Sequence, residues 1–490
     1  MNKNTEIVKR NKLTNVNKSQ YNAYYIHMKE GKDMLIGFSV SNYKSFKEPQ
    51  KISFAASKIT RHKEHITVKN NKRILKSGLI FGANAGGKSN LVNAIHFSRE
   101  IIINGLDKVN LNKSYFRIED NMYKTPGVFE YRIMLGDVEY SYGLVISYVD
   151  KIILSEWLIK IGSNGEETYI FNRDVDQNIS SAESEIDYQN MEEKYKMDFY
   201  LEGFSENISD TYKKKTILSD IALRTTDKKG VFAEIRKVYE WFASIIILFP
   251  ESKYNGLNEV AADDDKKRFF STLMNYFDTG INSVEGESQQ MEFDKILDNI
   301  SRIEAEKMKV DISNAANEHP IMFKVGEQIF ILHKDENGNI AYNKLLLNHG
   351  NSDDMFDYTD ESDGTKRLFD LIPIFYENGK GSLVLIDEID RSLHTNLTRK
   401  FLELFFEIVE DRECQLVATT HDSNLLDLEL LRQDEIWFVE RQVDHSSRVF
   451  SLNKFKERFD KKIDKEYLLG RYGAIPIFDD DFVLEDVYEE

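Results

Sequence analysis

The sequence predicts an α/β fold: a core of buried strands and helices, joined to an antiparallel β-subdomain and interrupted by an inserted, mainly helical domain. Three observations predict it. The apolar run Ile74–Phe81 ends in the glycine-rich loop Gly82–Ser89, and the helical pattern Asn90–Ile103 follows. Phe129–Leu135, Val138–Ile146 and Lys151–Ile159 are β-type stretches separated by Gly or Asp turns, as in an antiparallel meander. After Ser382 the order is buried strand, helix, buried strand, helix, strand.

The remaining elements are placed around these. Leu35–Phe46 alternates apolar and polar residues before a Lys-Ser-Phe turn and reads as the opening strand. From about Gly162 to about Pro320, acidic loops and helical patterns prevail, including Val231–Ile247 and Lys266–Phe277. They lack sustained heptads, so no long coiled-coil arm is expected. Ile329–Leu347, broken at Asn337-Gly338, reads as a hairpin returning to the main domain. The expected organisation is a polar N-terminal extension (1–33), the N-terminal part of the core (34–161), the mainly helical insertion (162–325), the C-terminal part of the core (326–478) and an acidic tail (479–490).

At 490 residues, 41% hydrophobic and 12% aromatic, the chain is long enough for several domains with their own cores. No run approaches the roughly 18 consecutive apolar residues of a membrane span, the longest candidates being pieces such as Phe242–Phe249, so no membrane partner is expected. Met1–Lys32 lacks the apolar stretch and cleavage site of a signal peptide, and Met28 or Met34 is a candidate natural start. A single cysteine, Cys414, excludes an intramolecular disulfide and points to a reducing, cytoplasmic setting. The net charge of −18 argues against a surface coated for nucleic acid, leaving only short basic runs at Lys58–Lys76 and Lys213–Lys215.

The chemistry is concentrated in four segments. Gly82-Ala83-Asn84-Ala85-Gly86-Gly87-Lys88-Ser89 is a full G-x-x-x-x-G-K-S loop between a strand and a helix. Backbone amides from Gly82 to Asn90 can curl around the phosphates of ATP, Lys88 reaches the β- and γ-phosphates, and Ser89 can ligate Mg²⁺. Ser382–Glu388 is an apolar strand ending in two carboxylates, of which Asp387 can hold the Mg²⁺ shell and Glu388 can polarise an attacking water. Gln415–Thr420 is a further buried strand, after which His421 can donate to a γ-phosphate. Ser362, Asp363, Gly364, Thr365 and Lys366 open the helical pattern Leu368–Phe375, with Ser362 as N-cap.

Taken together, the loop, the Ser-x-Gly helix start, the Asp-Glu strand, the Asp390 loop and the Thr-His strand follow the order of ABC-type ATPase heads, which the chain resembles. In that class the Ser-x-Gly signature of one subunit completes the γ-phosphate site of its neighbour, which implies ATP hydrolysis by a dimer or higher homo-oligomer. Glu361, Asp363 and Thr365 depart from the usual Leu-Ser-Gly-Gly-Gln signature, and no glutamine loop precedes Val128. Phe38–Phe46 resembles the first strand and turn of RecF, OLD and chromosome-maintenance ATPases. With Gly364–Asp370, Asp387–His394 and Gly470–Pro476, the chain is similar to AAA-annotated, ABC-type ATPases of the RloA and PARIS kind. That resemblance implies a role in anti-phage defence, with DNA or a phage protein as trigger. The toxic effector, a nuclease or toxin, would be a separate protein encoded nearby. A RecF-like ATPase that binds DNA in repair or scanning is the alternative, and a transporter subunit is disfavoured by the long insertion between Gly87 and Ser362.

Overall fold

The computed structural model describes residues 33–176, 179–205, 209–251, 264–289, 321–325, 328–334, 340–377, 383–409, 414–455, 457–458 and 461–476. The N-terminal extension, the turn at Asn337-Gly338 and the acidic tail lie outside them.

Strand β1 (Asp33–Ser41) pairs antiparallel with β2 (Gln50–Ser53). A hairpin of β3 (Ile66–Lys69) and β4 (Lys72–Leu75) precedes β5 (Ser77–Phe81), every residue of which is buried. The single strand expected over Ile74–Phe81 is thus two, split at Lys76, whose ammonium reaches the carbonyl of Val409 at 2.7 Å. Helix α1 (Lys88–Asn104) is followed by β6 (Gly127–Leu135), β7 (Val138–Ser147), β8 (Ile152–Ile161), β9 (Glu167–Asp176) and β10 (Ile179–Glu183). These strands form a seven-stranded antiparallel sheet in the order β10-β9-β8-β7-β6-β1-β2. In β6 the two-residue period sends Phe129, Tyr131 and Ile133 into the core, while Glu130 and Arg132 stay partly exposed.

Helices α2 (Met191–Glu202), α3 (Asp210–Lys214), α4 (Ile217–Arg224) and α5 (Gly230–Ser244) come next, then β11 (Ile246–Leu248) and α6 (Asp264–Tyr276). A further sheet follows, of β12 (Ser283–Gln289), β13 (Ile321–Val325), β14 (Gln328–Lys334) and β15 (Ile340–Asn348), with β16 (Phe356–Asp357) pairing β15. The last part holds α7 (Asp363–Leu371), α8 (Ile374–Glu377), β17 (Leu383–Ile386), α9 (Thr395–Ile408), β18 (Gln415–Thr419), β19 (Ile436–Arg441), β20 (Ser447–Ser451) and α10 (Ile463–Leu468). Strands β11, β17, β18, β5 and β19 lie parallel in that order, with β20 antiparallel at the edge.

This parallel sheet is buried on both faces. Leu383, Leu385, Ile80 and Val417 join the core that α1, α5 and the antiparallel sheet form. Their neighbours Val384, Ile386, Leu79, Phe81, Leu416 and Ala418 join a second core with α6, α7 and α9. Gln415, fully buried, ties the two sheets together: its side chain accepts from the amide of Leu35 at 2.9 Å and donates to the carbonyls of Leu35 and Leu75 at 2.9 and 2.8 Å. The buried carboxylate of Glu156 likewise accepts from the first amides of α4, Ile217 and Leu218, at 2.7 and 3.1 Å, so that the positive helix end offsets its charge. A phosphate loop leaving β5 in such a sheet, with an antiparallel sheet packed beside it, is the architecture of an ABC-type P-loop head.

Three further expectations differ from the structure. The segment 162–325, expected to be mainly helical, also carries β9 and β10, which extend the antiparallel sheet, and β11, which enters the parallel one. In β9 the charged residues that read as an acidic loop flank Ile170 and Phe171, which are buried, and the exposed edge of β8 supplies their pairing. The hairpin of β14 and β15 belongs to its own sheet and does not join either main sheet. Between β18 and β19 the expected helix does not form. Leu425, Leu426, Leu428, Leu430 and Leu431 are all buried, but Asp422 and Asp427 accept from the amides two residues on, at 3.0 and 2.8 Å, and hold the chain in short turns. The Lys213–Lys215 run is tied to carboxylates, Lys213 to Asp210, Lys214 to Asp107 and Lys215 to Asp220, which removes it as a free basic patch. No helix among the described residues is long and apolar enough to cross a membrane.

Candidate functional site

Parallel pairing brings the C-terminal ends of β5, β17 and β18 to one edge of the sheet, where ligands of open α/β sheets bind. The phosphate loop, Asp387-Glu388 and Thr420-His421 leave the sheet side by side. Glycine is required in the loop for two reasons. A Cβ on Gly82 would stand 2.3 Å from the carbonyl oxygen of Val439, and Gly87 has φ 113° with its Cβ position 2.2 Å from the Ser447 hydroxyl. That hydroxyl donates to the Gly86 carbonyl at 2.6 Å, so the β19–β20 hairpin clamps the loop. Gly86 is buried, Asn84 is exposed at the crest, and α1 starts at Lys88 with no side chain capping its first amides. Uncapped amides under a glycine cradle form an anion receptor.

Lys88 is buried, and its ammonium donates to the carbonyls of Gly82 and Ala83 at 2.6 and 3.1 Å and to Nδ1 of His421 at 3.1 Å. Loss of water pushes its pKa down to about 8, against the pull of Asp387, Asp390 and Glu388. Because Nδ1 of His421 accepts from an ammonium, the ring proton sits on Nε2, which faces a Glu388 oxygen at 3.6 Å. The His421 amide donates to Asp390 at 3.2 Å. Glu388 has φ 53°, and its amide donates to the Thr419 hydroxyl at 2.8 Å. That hydroxyl in turn donates to Asp387 at 2.6 Å. Ser89 donates to the same Asp387 oxygen at 3.1 Å. Two hard oxygens at this spacing fit adjacent corners of an octahedron with Mg²⁺–O bonds of about 2.1 Å, whose edge is about 3 Å. Asn90 donates to the Ser45 hydroxyl at 2.8 Å, beside Gly87.

The signature residues make their hydrogen bonds within their own segment. Ser362 caps α7, its hydroxyl accepting from the Thr365 amide at 3.1 Å and lying 2.9 Å from the Thr365 hydroxyl, and Lys366 donates to the Thr359 carbonyl at 2.9 Å. Asp363 begins the helix and Gly364 packs on the Asp390 loop, where a Cβ would come within 2.8 Å of the Ser392 carbonyl. The structure therefore gathers Gly82–Ser89, Asp387, Glu388 and His421 in one cluster, and leaves Ser362–Lys366 on an adjoining helix whose polar start does not bond to the loop of its own chain.

Sequence reasoning missed four residues that shape this cluster. Thr419 bridges Asp387 and Glu388, and Ser447 clamps the loop. Lys44, in the Lys-Ser-Phe turn, has its pKa lowered by burial and feels the charge of Asp387. Arg367, buried on α7, donates to the carbonyls of Asp387 and Glu388 at 3.4 and 3.3 Å, while its Nε and Nη1 find no partner among the described residues. Lys44 and Arg367 carried a signal, their places in motifs already singled out.

A family model described as "AAA domain, putative AbiEii toxin, Type IV TA system" matches residues 79–427, from β5 to just beyond His421. The chain belongs to this AAA-domain family. No curated protein matches it. Among solved structures it is similar to an Smc head bound to the C-winged helix domain of ScpA, at 15% identity and a TM-score of 0.37, covering 86% of this chain and 99% of that one. It is also similar to the SMC head domain from Thermotoga maritima, at 15% identity and a TM-score of 0.35, covering 85% and 98%. A third is an Smc head with an extended coiled coil bound to the C-terminal domain of ScpA derived from Pyrococcus furiosus, at 14% identity and a TM-score of 0.34, covering 89% and 100%. At such scores the assignment of this AAA-domain protein to the P-loop class rests on its own strand order and on the family match.

Proposed function

We propose that this protein is an ATP hydrolase that works as a nucleotide-driven switch: two heads close over ATP, and their association controls a separate toxic effector in anti-phage defence. The observation that carries the ATPase reading is the convergence of Lys88, His421, Asp387 and Ser89 within hydrogen-bonding distance at one sheet edge. Lys88 and the loop amides would grip the triphosphate, Ser89 and Asp387 would hold Mg²⁺, and Glu388 would orient and deprotonate the attacking water. Mg²⁺ supplies charge neutralisation at the β- and γ-phosphates. His421, with its proton on Nε2, is set to donate to the terminal phosphate. The family description, which places the AAA domain with toxin–antitoxin systems, supports the toxin–antitoxin setting of the reading.

The start of α7, which makes no bond to the loop of its own chain, supports closure in trans. Ser362, Gly364 and Thr365 would roof the γ-phosphate of a second chain, and Arg367 would pass the state of that contact to the backbone of Asp387 and Glu388. The test mixes Lys88→Ala and Ser362→Arg chains, each inactive alone. Mixed dimers hold one intact composite site of two and make up about half of the dimers at equal ratios, so roughly a quarter of the wild-type turnover is expected. No recovery at any ratio, with mixed dimers shown to form, contradicts a shared site.

The buried ammonium of Lys88 also gives a pH dependence. Its pKa near 8 in the free protein means that it is charged below that value and loses its proton above it. A bound phosphate favours the ammonium, so binding takes up a proton above about pH 8 and the affinity falls by up to about tenfold per pH unit there. Nucleotide titrations at pH 7, 8 and 9.5 check this, and an affinity flat over that range contradicts it.

A further inference from the structure

A second cluster lies at the opposite side of the sequence motifs, in the segment His62-Lys63-Glu64-His65 that leads into the β3–β4 hairpin. His62 Nδ1 stands 3.3 Å from a Glu64 oxygen, and His65 Nε2 stands 3.9 Å from the same oxygen. The three ligand atoms lie within 4.8 Å of one another.

The hydrogen bonds around them fix where the ring protons are. His62 Nε2 faces the carbonyl of Leu428 at 3.1 Å, and a carbonyl only accepts, so Nε2 carries the proton and Nδ1 a lone pair. His65 Nδ1 faces both oxygens of Glu435 at 3.1 and 3.0 Å, so Nδ1 carries its proton and Nε2 a lone pair. Both lone pairs then point at the Glu64 carboxylate, which is itself an acceptor. With both rings neutral, three acceptors face one another with no donor between them, a hole shaped for a cation. Glu435 is fully buried and held by the Ser77 hydroxyl at 2.7 Å, the arrangement in which a carboxylate fixes the tautomer of a metal-binding histidine. The His65 ring is stacked on Phe406, with centroids 3.6 Å apart, which locks its direction.

We propose that His62 Nδ1, Glu64 and His65 Nε2 bind a divalent transition-metal ion, Zn²⁺ by ligand type, with a fourth position open to solvent. Two imidazoles and a carboxylate are a zinc ligand set, and bonds of 2.0–2.2 Å in a tetrahedron put ligand atoms about 3.3 Å apart; the His62–Glu64 pair meets this at 3.3 Å, and the His65–Glu64 pair, at 3.9 Å, has to draw in. The Glu64 side chain is 43% exposed, which gives the ion a path in. Bound there, the ion would clamp the β3–β4 hairpin to the segments around Phe406, Leu428 and Glu435, far along the chain.

The test is a calorimetric titration of the chelator-treated full chain with Zn²⁺, in millimolar Mg²⁺ so that the oxygen site at Ser89 and Asp387 does not compete. The expected result is one Zn²⁺ per chain, with an affinity at least about 100-fold weaker in a His62→Ala/Glu64→Gln double variant. Glu64 is partly exposed and His65 stays in the core, so the variant should fold, with its metal-free melting temperature lowered only by the loss of the His62 bond to the Leu428 carbonyl. Zinc should raise the melting temperature of the wild type only. Absence of binding at tens of micromolar Zn²⁺, or equal binding by the double variant, overturns the proposal.

Discussion

Replacing Glu388 by Gln should leave ATP binding intact and slow hydrolysis by roughly 10²–10⁴-fold, the contribution of a positioned general base. Gln keeps the length and hydrogen-bonding capacity of the side chain but cannot accept the proton of the attacking water. The surrounding geometry does not depend on the lost charge, because the backbone of residue 388 is anchored through its amide to Thr419 and through its carbonyl to Arg367. With hydrolysis blocked, the closed state has no exit. The variant should therefore accumulate as a dimer or larger assembly in ATP, read by light scattering, and return to the free form when nucleotide is removed. Wild-type turnover in this variant contradicts the role given to Glu388.

Much of this site was legible in the sequence because its chemistry is local. Gly82–Ser89 needs only a strand before it and a helix after it, and Leu383–Ile386 announces a strand buried on both faces by being apolar throughout. His421 was legible through its position just after such a strand. What escaped depends on the third dimension. Thr419 ends a strand like any other threonine, and only the parallel neighbour β17 puts its hydroxyl between Asp387 and the Glu388 amide. Arg367 read as part of an ordinary amphipathic helix until α7 packed against the end of β17.

The same distinction explains the fold. The meander β6–β8 alternates cleanly and was readable, whereas β9 is a strand only because β8 offers it an edge. Strand β11 has three residues and is defined by pairing with β17, far along the chain. The leucine-rich stretch after His421 mimics a helix in composition. Its aspartates decide otherwise, by capturing nearby amides.

The account turns on a triphosphate held by the loop around Lys88. The ammonium is buried and already desolvated, and its partners in the free protein are two backbone carbonyls and His421, which phosphate oxygens can replace. Truncating one member of a buried, charge-assisted pair costs about 2–5 kcal/mol, or roughly 30- to 5,000-fold in affinity. The most direct measurement is the equilibrium binding of a fluorescent ATP analogue with Mg²⁺ to the wild-type and Lys88→Ala chains at pH 7. The account predicts saturable binding by the wild type and a loss of at least about 30-fold in the folded variant, and equal affinity for the two chains would contradict it.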